Sequence, residues 1–258
     1  MRYKEEALLA SYIDSLHPII YINHFDFTVI DDTLKKIGQG VNIVEYNNAL
    51  GEINFNTKSQ IHECELERFL KLSLENGFES ETFILLKDIH DQMNNPKVIA
   101  LLKRIAENNL YSEDYHATII IESNKLVIPS ELENYITVFD VPLPTSREIK
   151  KIIETFASDL EIEIVQDVLD DITLSFKGMN EFQIKQILNL AYQDGGCIDA
   201  DDKQLIFKEK EQLIKKSGML EIVNFNESID DIGGLENLKD WLEQKAKVYS
   251  QLDKAIKF

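Results

Sequence analysis

The segment Phe83-Ile-Leu-Leu-Lys-Asp-Ile-His90 is an apolar run that ends in a carboxylate, Asp88. A carboxylate at the end of a buried strand can reach a nucleotide-bound Mg²⁺ when a phosphate-binding loop lies beside it. Such a loop needs glycines, so that consecutive backbone N–H groups can wrap the phosphates, and a lysine to reach the terminal ones. None of the ten glycines in this chain is followed by lysine. The residues after the first apolar strand are Asn23-His-Phe-Asp-Phe-Thr28, and no glycine occurs before Gly38. Their Cβ atoms and two aromatic rings fill the space a phosphate would need, and Asp26 would repel it. Hydrolysis also calls for a second acidic residue to polarise the attacking water. Ile89 and His90 stand there instead. Asp88 therefore reads as a decayed metal contact or as an ordinary acidic strand end, and the flanking pattern favours the first.

Other polar groups offer less. The five histidines, His17, His24, His62, His90 and His116, show no ligand spacing. Asp199, Asp201 and Asp202 form an acidic loop without the register of a calcium-binding hand, and a solvated turn is the simpler reading. Cys64 and Cys197 stand far apart in sequence and make neither a metal pair nor a redox pair. No nucleophile–base pair stands out, and the spacing predicts no metal site.

The elements that must position Asp88 follow from periodicity. A helical stripe covers residues 5–16, and Pro18-Ile-Ile-Tyr-Ile22 reads as a buried strand. Phe27, Ile30, Leu34 and Ile37 form the next helical face, stopped by Gly38. Val41-Asn-Ile-Val44 is a second strand. An Asn-rich connection over 46–57 leads to a helix over about 59–75. Strands at 82–86, 117–121 and 136–139, with a helix over 96–108, complete an α/β domain with five strands. Continuous apolar strands separated by helices predict a mostly parallel sheet flanked by helices on both faces.

From Thr145 onward the pattern is helical only, over 145–157, 163–175, 180–192 and 202–216. Gly178 suits the left-handed end of one helix, and Asn180 with Gln183 forms a capping pair for the next. The reading divides the chain into an α/β domain over 1–144, a small helical lid over 145–216, and a junction with the start of a further module over 217–258.

Composition sets the class. With 44% hydrophobic and 28% charged residues, the 258-residue chain is that of an ordinary soluble globular protein. No run approaches a membrane span, and Met-Arg-Tyr-Lys-Glu-Glu has no secretory h-region behind it, so a cytoplasmic location is expected. The net charge of −19 and only four arginines disfavour nucleic acid as a partner.

Four phrases then carry a resemblance: Leu85-Leu-Lys-Asp-Ile-His90, Ile128-Pro-Ser-Glu-Leu-Glu133, Phe139-Asp-Val-Pro-Leu-Pro144 and Lys208-Glu-Lys-Glu-Gln-Leu-Ile-Lys-Lys-Ser-Gly-Met-Leu-Glu221. They are followed by Asp231-Ile-Gly-Gly-Leu235. Together, over about residues 18–242, they resemble the AAA ATPases encoded by a chloroplast reading frame of algae, with cyanobacterial and bacterial relatives. In that family a degenerate N-terminal AAA-like domain precedes an intact ATPase module. The resemblance implies a degenerate P-loop NTPase fold with a helical lid. It makes Asp88 a vestigial Walker B carboxylate and Asn124 a vestigial sensor. No arginine lies between Ser123 and Asp140 to serve as a finger for a neighbour. Asp231, Ile232 and Gly233 would pass beside the adenine of a second module expected after Phe258.

The implied function is that of a non-hydrolysing regulatory or assembly domain of an ATP-dependent protein-remodelling machine. This chain would need no cofactor itself; ATP and Mg²⁺ would serve the parent. Its partners would be its own C-terminal ATPase module, other copies in a ring, and an unknown protein substrate. A partner-binding adaptor with no nucleotide role and a clamp-loader-like subunit are the alternatives. Residues 228–258 are expected to pack less securely than the domain before them, because Leu235, Leu238, Trp241 and Leu242 make an apolar stripe whose partner would be the following sheet.

Overall fold

A computed structural model describes residues 3–78, 80–162, 164, 166–195, 198, 202–217 and 233–250. The chain forms two compact units, 1–142 and 143–258.

The first unit begins with α1 (Tyr3–Asp14), β1 (Ile19–Asn23) and α2 (Phe27–Ile37). Then come β2 (Asn42–Asn47), β3 (Gly51–Asn54), β4 (Gln60–His62) and α3 (Leu66–Asn76). The unit closes with β5 (Thr82–Lys87), α4 (Pro96–Tyr111), β6 (Ala117–Ser123) and β7 (Ile136–Asp140). All seven strands make one sheet, in the order β4-β3-β2-β5-β6-β1-β7. The five strands read from the sequence pair in parallel, and β3 and β4 extend the β2 edge antiparallel.

The expected five strands are thus corrected to seven. The two extra ones occupy the Asn-rich connection and the first residues of the expected 59–75 helix, which starts only at Leu66. Their signal is faint for a physical reason. β4 has three residues, all exposed, and β3 has four, so neither shows a buried apolar run. Gly51 makes the hairpin possible. Its φ is +80°, and a Cβ there would lie 2.5 Å from the His62 carbonyl oxygen and 2.7 Å from the Cys64 nitrogen.

Side-chain alternation sends β1, β5 and β6 to two cores. On one face Ile20, Ile22, Phe83, Leu85, Ile120 and Phe139 pack with Leu9 and Ile13 of α1 and with Ile30 and Leu34 of α2. On the other, Ile19, Tyr21, Ile84, Leu86, Ile119 and Ile121 pack with residues of α3 and α4. β5 is buried at all six positions and β6 at all seven. Those continuous runs are what a sheet covered on both faces requires.

The second unit contains α5 (Ser146–Asp159), α6 (Gln166–Ser175), α7 (Glu181–Gly195), α8 (Asp202–Ser217) and α9 (Glu236–Ser250). Ile149, Ile153, Leu169, Ile172, Phe176, Ile184, Leu188 and Ile206 form its core. Gly178 takes φ +86°. The expected capping pair is present in both directions: the Asn180 N–H donates to Gln183 Oε1 at 3.0 Å, and the Gln183 N–H donates to Asn180 Oδ1 at 2.9 Å. Among the described residues no helix is long and apolar enough to cross a membrane.

Candidate functional site

In an open α/β sheet, ligands sit beyond the carboxyl ends of the strands. Here the parallel register brings Asn23 of β1 beside Ser123 of β6, and Lys87 of β5 beside Glu122 of β6. The chain leaving β1 keeps this edge closed, because the His24 N–H donates to the Ser123 carbonyl oxygen at 3.1 Å. Asp26 then caps α2, its Oδ1 accepting from the Thr28 N–H at 3.1 Å. A helix N-terminus in this place is a ready anion site, and its own aspartate already supplies the anion. Burial holds the His24 imidazole below its ordinary value against the pull of Asp26, so it is neutral near pH 7 and adds no cation for a phosphate.

Beneath the first turns of α2 lies a charge cluster that is buried except for Lys58. It continues the alternation of the sheet: after Phe83 and Leu85 the next residue on that face is Lys87, after Ile120 it is Glu122, and after Ile43 it is Glu45. Lys87 Nζ lies 2.6 Å from Asp31 Oδ1, 3.2 Å from Glu45 Oε1 and 3.6 Å from Glu122 Oε2. Lys58, from the β3–β4 turn, reaches Asp31 Oδ2 at 2.8 Å and Glu45 Oε2 at 2.6 Å. The Lys87 ammonium also lies 5.6 Å from the centre of the Phe27 ring. Burial alone would depress Lys87, but Glu122, Asp31 and Glu45 outweigh it and its pKa is raised. Glu122 is fully buried and is pushed up to about 8, by burial first and by the charges of Asp31 and Glu45 against the pull of the two lysines.

Asp88 follows directly, in the left-handed region at φ +55°, with its N–H donating to the Glu122 carbonyl oxygen at 3.0 Å. Its neighbourhood is the opposite face of the sheet. Burial raises the Tyr21 phenol, with the Asp88 charge adding to the shift, and the Tyr21 hydroxyl donates to the Lys125 carbonyl oxygen at 2.7 Å. His90 stands where a second acidic residue would be needed, with Nδ1 3.0 Å from Ser123 Oγ. Ser123 is fully buried, so the pair ties strand ends together and offers no accessible nucleophile. Asn124 is exposed just past the end of β6. Asp88 and Asn124 therefore flank the same edge, while the charged groups that fill it, Asp31, Glu45, Lys58, Lys87 and Glu122, come from five separate segments. A sequence signal for them existed only as charged residues continuing a buried alternation. Of the expected adenine-side residues, Asp231 and Ile232 lie outside the described residues, and Gly233 precedes α9 as an exposed residue. Among the described residues no group of three or more His, Cys, Asp or Glu side chains is arranged to hold a metal ion.

Comparison with known proteins gives the family and the fold. Residues 4–141 match the N-terminal domain of SpoVK-like AAA ATPases, and residues 147–217 match the second domain of the same group. The AAA domain-containing protein ycf46 of Guillardia theta is 28% identical over 245 residues, covering 91% of this chain and 46% of that protein. Its namesake in Pyropia yezoensis is 32% identical over 173 residues, covering 67% of this chain and 35% of the relative. The chain thus spans less than half the length of these two relatives. Among solved structures, C. elegans PCH-2 superposes with a TM-score of 0.52 at 14% identity, covering 82% of this chain and 69% of the other. A chain of the E. coli MS115-1 HORMA:CdnC:Trip13 complex gives 0.55 at 11% identity, covering 86% and 90%. At such identities these two likenesses speak for the fold alone. The family match spans more than half of the sequence, and the chain belongs to the SpoVK-like AAA ATPases.

Proposed function

We propose that residues 1–144 are a non-hydrolysing AAA-like regulatory or assembly domain. In this reading 145–216 are its lid, and 217–258 are the junction into an ATPase module that uses ATP and Mg²⁺. The observation that carries the reading is the closed edge after β1. Three residues without a glycine separate β1 from α2, α2 is capped by Asp26, and the lysine at the end of β5 is already committed to Asp31 and Glu45. A triphosphate would have to displace a carboxylate from the helix end and find a cation that the protein has spent internally. Asp88 and Asn124 are then relics of a metal contact and a phosphate sensor, retained as strand ends.

The work left to such a domain is to hold its neighbours in a ring, to recruit a protein, or to pass on the state of the catalytic module. A protein partner suits the chain better than nucleic acid because its net charge is −19. Calorimetric titration of this chain with MgATP tests the reading. The expected result is no binding in the micromolar range and no turnover. Micromolar affinity, with amide protection centred on residues 24–28, would refute it.

A further inference from the structure

Among the described residues, Glu122 is the group that the reading above leaves unexplained. It is fully buried, and neither of its carboxyl oxygens has a hydrogen-bond partner. Buried polar groups in folded proteins are almost always paired, and an unpaired buried carboxylate is far more expensive than a neutral acid. The cations facing it are already committed. Lys87 makes its short contacts to Asp31 and Glu45, lying only at 3.6 Å from Glu122, and Lys58 binds the same two acids. From β1 the residue across from Glu122 is the apolar Ile22. Two lysines thus face three carboxyl groups in one cluster, of which only Lys58 reaches solvent, an imbalance of one negative charge if every group is ionised.

We infer that Asp31, Glu45, Lys58, Lys87 and Glu122 form a clamp that is electrically balanced by one proton held on Glu122, and that losing this proton loosens α2 from the strand ends. The clamp occupies the place where an open α/β sheet would bind a ligand. It joins α2, β2, the β3–β4 turn, β5 and β6 without one. The raised Glu122 carboxyl, near 8, agrees with the geometry and puts the loosening at mildly alkaline pH. The sign follows from linkage. The folded state holds a proton that an unfolded glutamate, with its ordinary pKa near 4.5, has released at neutral pH. The stability contributed by this group is therefore full below about 4.5, and is lost as pH rises through about 8. This inference concerns the interior of the unit and stands whether or not the domain binds ATP.

The test uses the whole chain labelled with ¹³C at the glutamate carboxyls. The Glu122 resonance, assigned through the backbone, is followed from pH 5 to 9.5. It should titrate near 8, and not with the ordinary carboxylates. In parallel, urea unfolding of the parent and of Glu122→Gln is compared across pH 5.5–9. The glutamine keeps the shape of the neutral acid, so below pH 8 the parent's unfolding constant should rise relative to the variant's by about tenfold per pH unit, levelling off above it. Amide exchange over residues 27–37, corrected for base catalysis, should accelerate above pH 8 in the parent and not in the variant. A Glu122 resonance titrating near 4.5, or parallel pH profiles for the two proteins, overturns the inference. Should Glu122→Gln not fold, the titration of the parent decides alone.

Discussion

At the scale of the residue, two neighbours on β5 have opposite fates. Lys87 is 4% exposed and joins four charged partners, directly or through shared acids, whereas Asp88 leaves the sheet and no longer serves a phosphate-bound metal in the reading proposed above. Lys87→Met should remove the centre of the clamp and leave Asp31 and Glu45 facing each other with only Lys58. The expected loss is about 3–5 kcal/mol in urea unfolding, the range for breaking one side of a buried ion pair. Asp88→Asn should be mild, within about 1 kcal/mol, because asparagine accepts the left-handed backbone that Asp88 adopts at φ +55°. If Asp88→Asn removed Mg²⁺ binding that is clear in the parent, the vestigial reading would fail. The contrast also shows what a linear sequence displays. Asp88 was legible because a strand pattern ends on it. The clamp was not, since Asp31, Glu45, Lys58, Lys87 and Glu122 meet only once five segments are folded, and each alone resembles a solvated charge.

At the scale of the element, the parallel strands and their helices were readable because burial on both faces leaves continuous apolar runs, as in Thr82–Lys87 and Ala117–Ser123. Helix ends were readable where capping chemistry marks them, at Gly38, Gly178 and the Asn180–Gln183 pair. The β3–β4 hairpin was not, because short edge strands bury little and carry polar side chains. Its one strong constraint is Gly51, and Gly51→Ala is the corresponding test. The new Cβ would run into the backbone at His62 and Cys64 while the φ stays positive, so neither a rotamer change nor a small shift relieves it. The loss should exceed about 1 kcal/mol. It should also reach the clamp, because Lys58 sits in the turn this hairpin holds. Amide exchange should quicken at β3 and at the start of α2, and exchange confined to β3 and β4 would separate the hairpin from the clamp. The Asp26 cap makes a smaller statement at the same scale. Asp26→Ala should lower stability by about 1 kcal/mol without creating a phosphate site, since the glycines that would wrap the anion are still missing.

At the scale of the whole molecule, the α/β unit closes its own ligand edge, and the last described helix keeps its apolar stripe in the open. Leu235, Leu238, Trp241 and Leu242 are 61%, 48%, 53% and 38% exposed, and Lys245 lies 5.5 Å from the centre of the tryptophan ring. Leucines and a tryptophan at helical spacing are the pattern of a face made to be covered, and leaving them in water favours association. Residues 218–232, which include most of the expected junction before α9, lie outside the described residues. What can be tested is independence. Removing residues 228–258 should leave the melting temperature of the remaining chain within about 2 °C, because among the described residues none of the three buried cores includes a residue of α9. It should also reduce any concentration-dependent association seen by sedimentation. Trp241 is the only tryptophan, so its fluorescence reports on this face alone. In dilute solution the emission should be that of a water-exposed indole, shifting to shorter wavelength as concentration rises if copies cover the stripe. A truncated chain that no longer folds, or a Trp241 emission already buried at the lowest concentration, would make α9 an integral part of the second unit. The reading of residues 217–258 as a junction into another module would then be wrong.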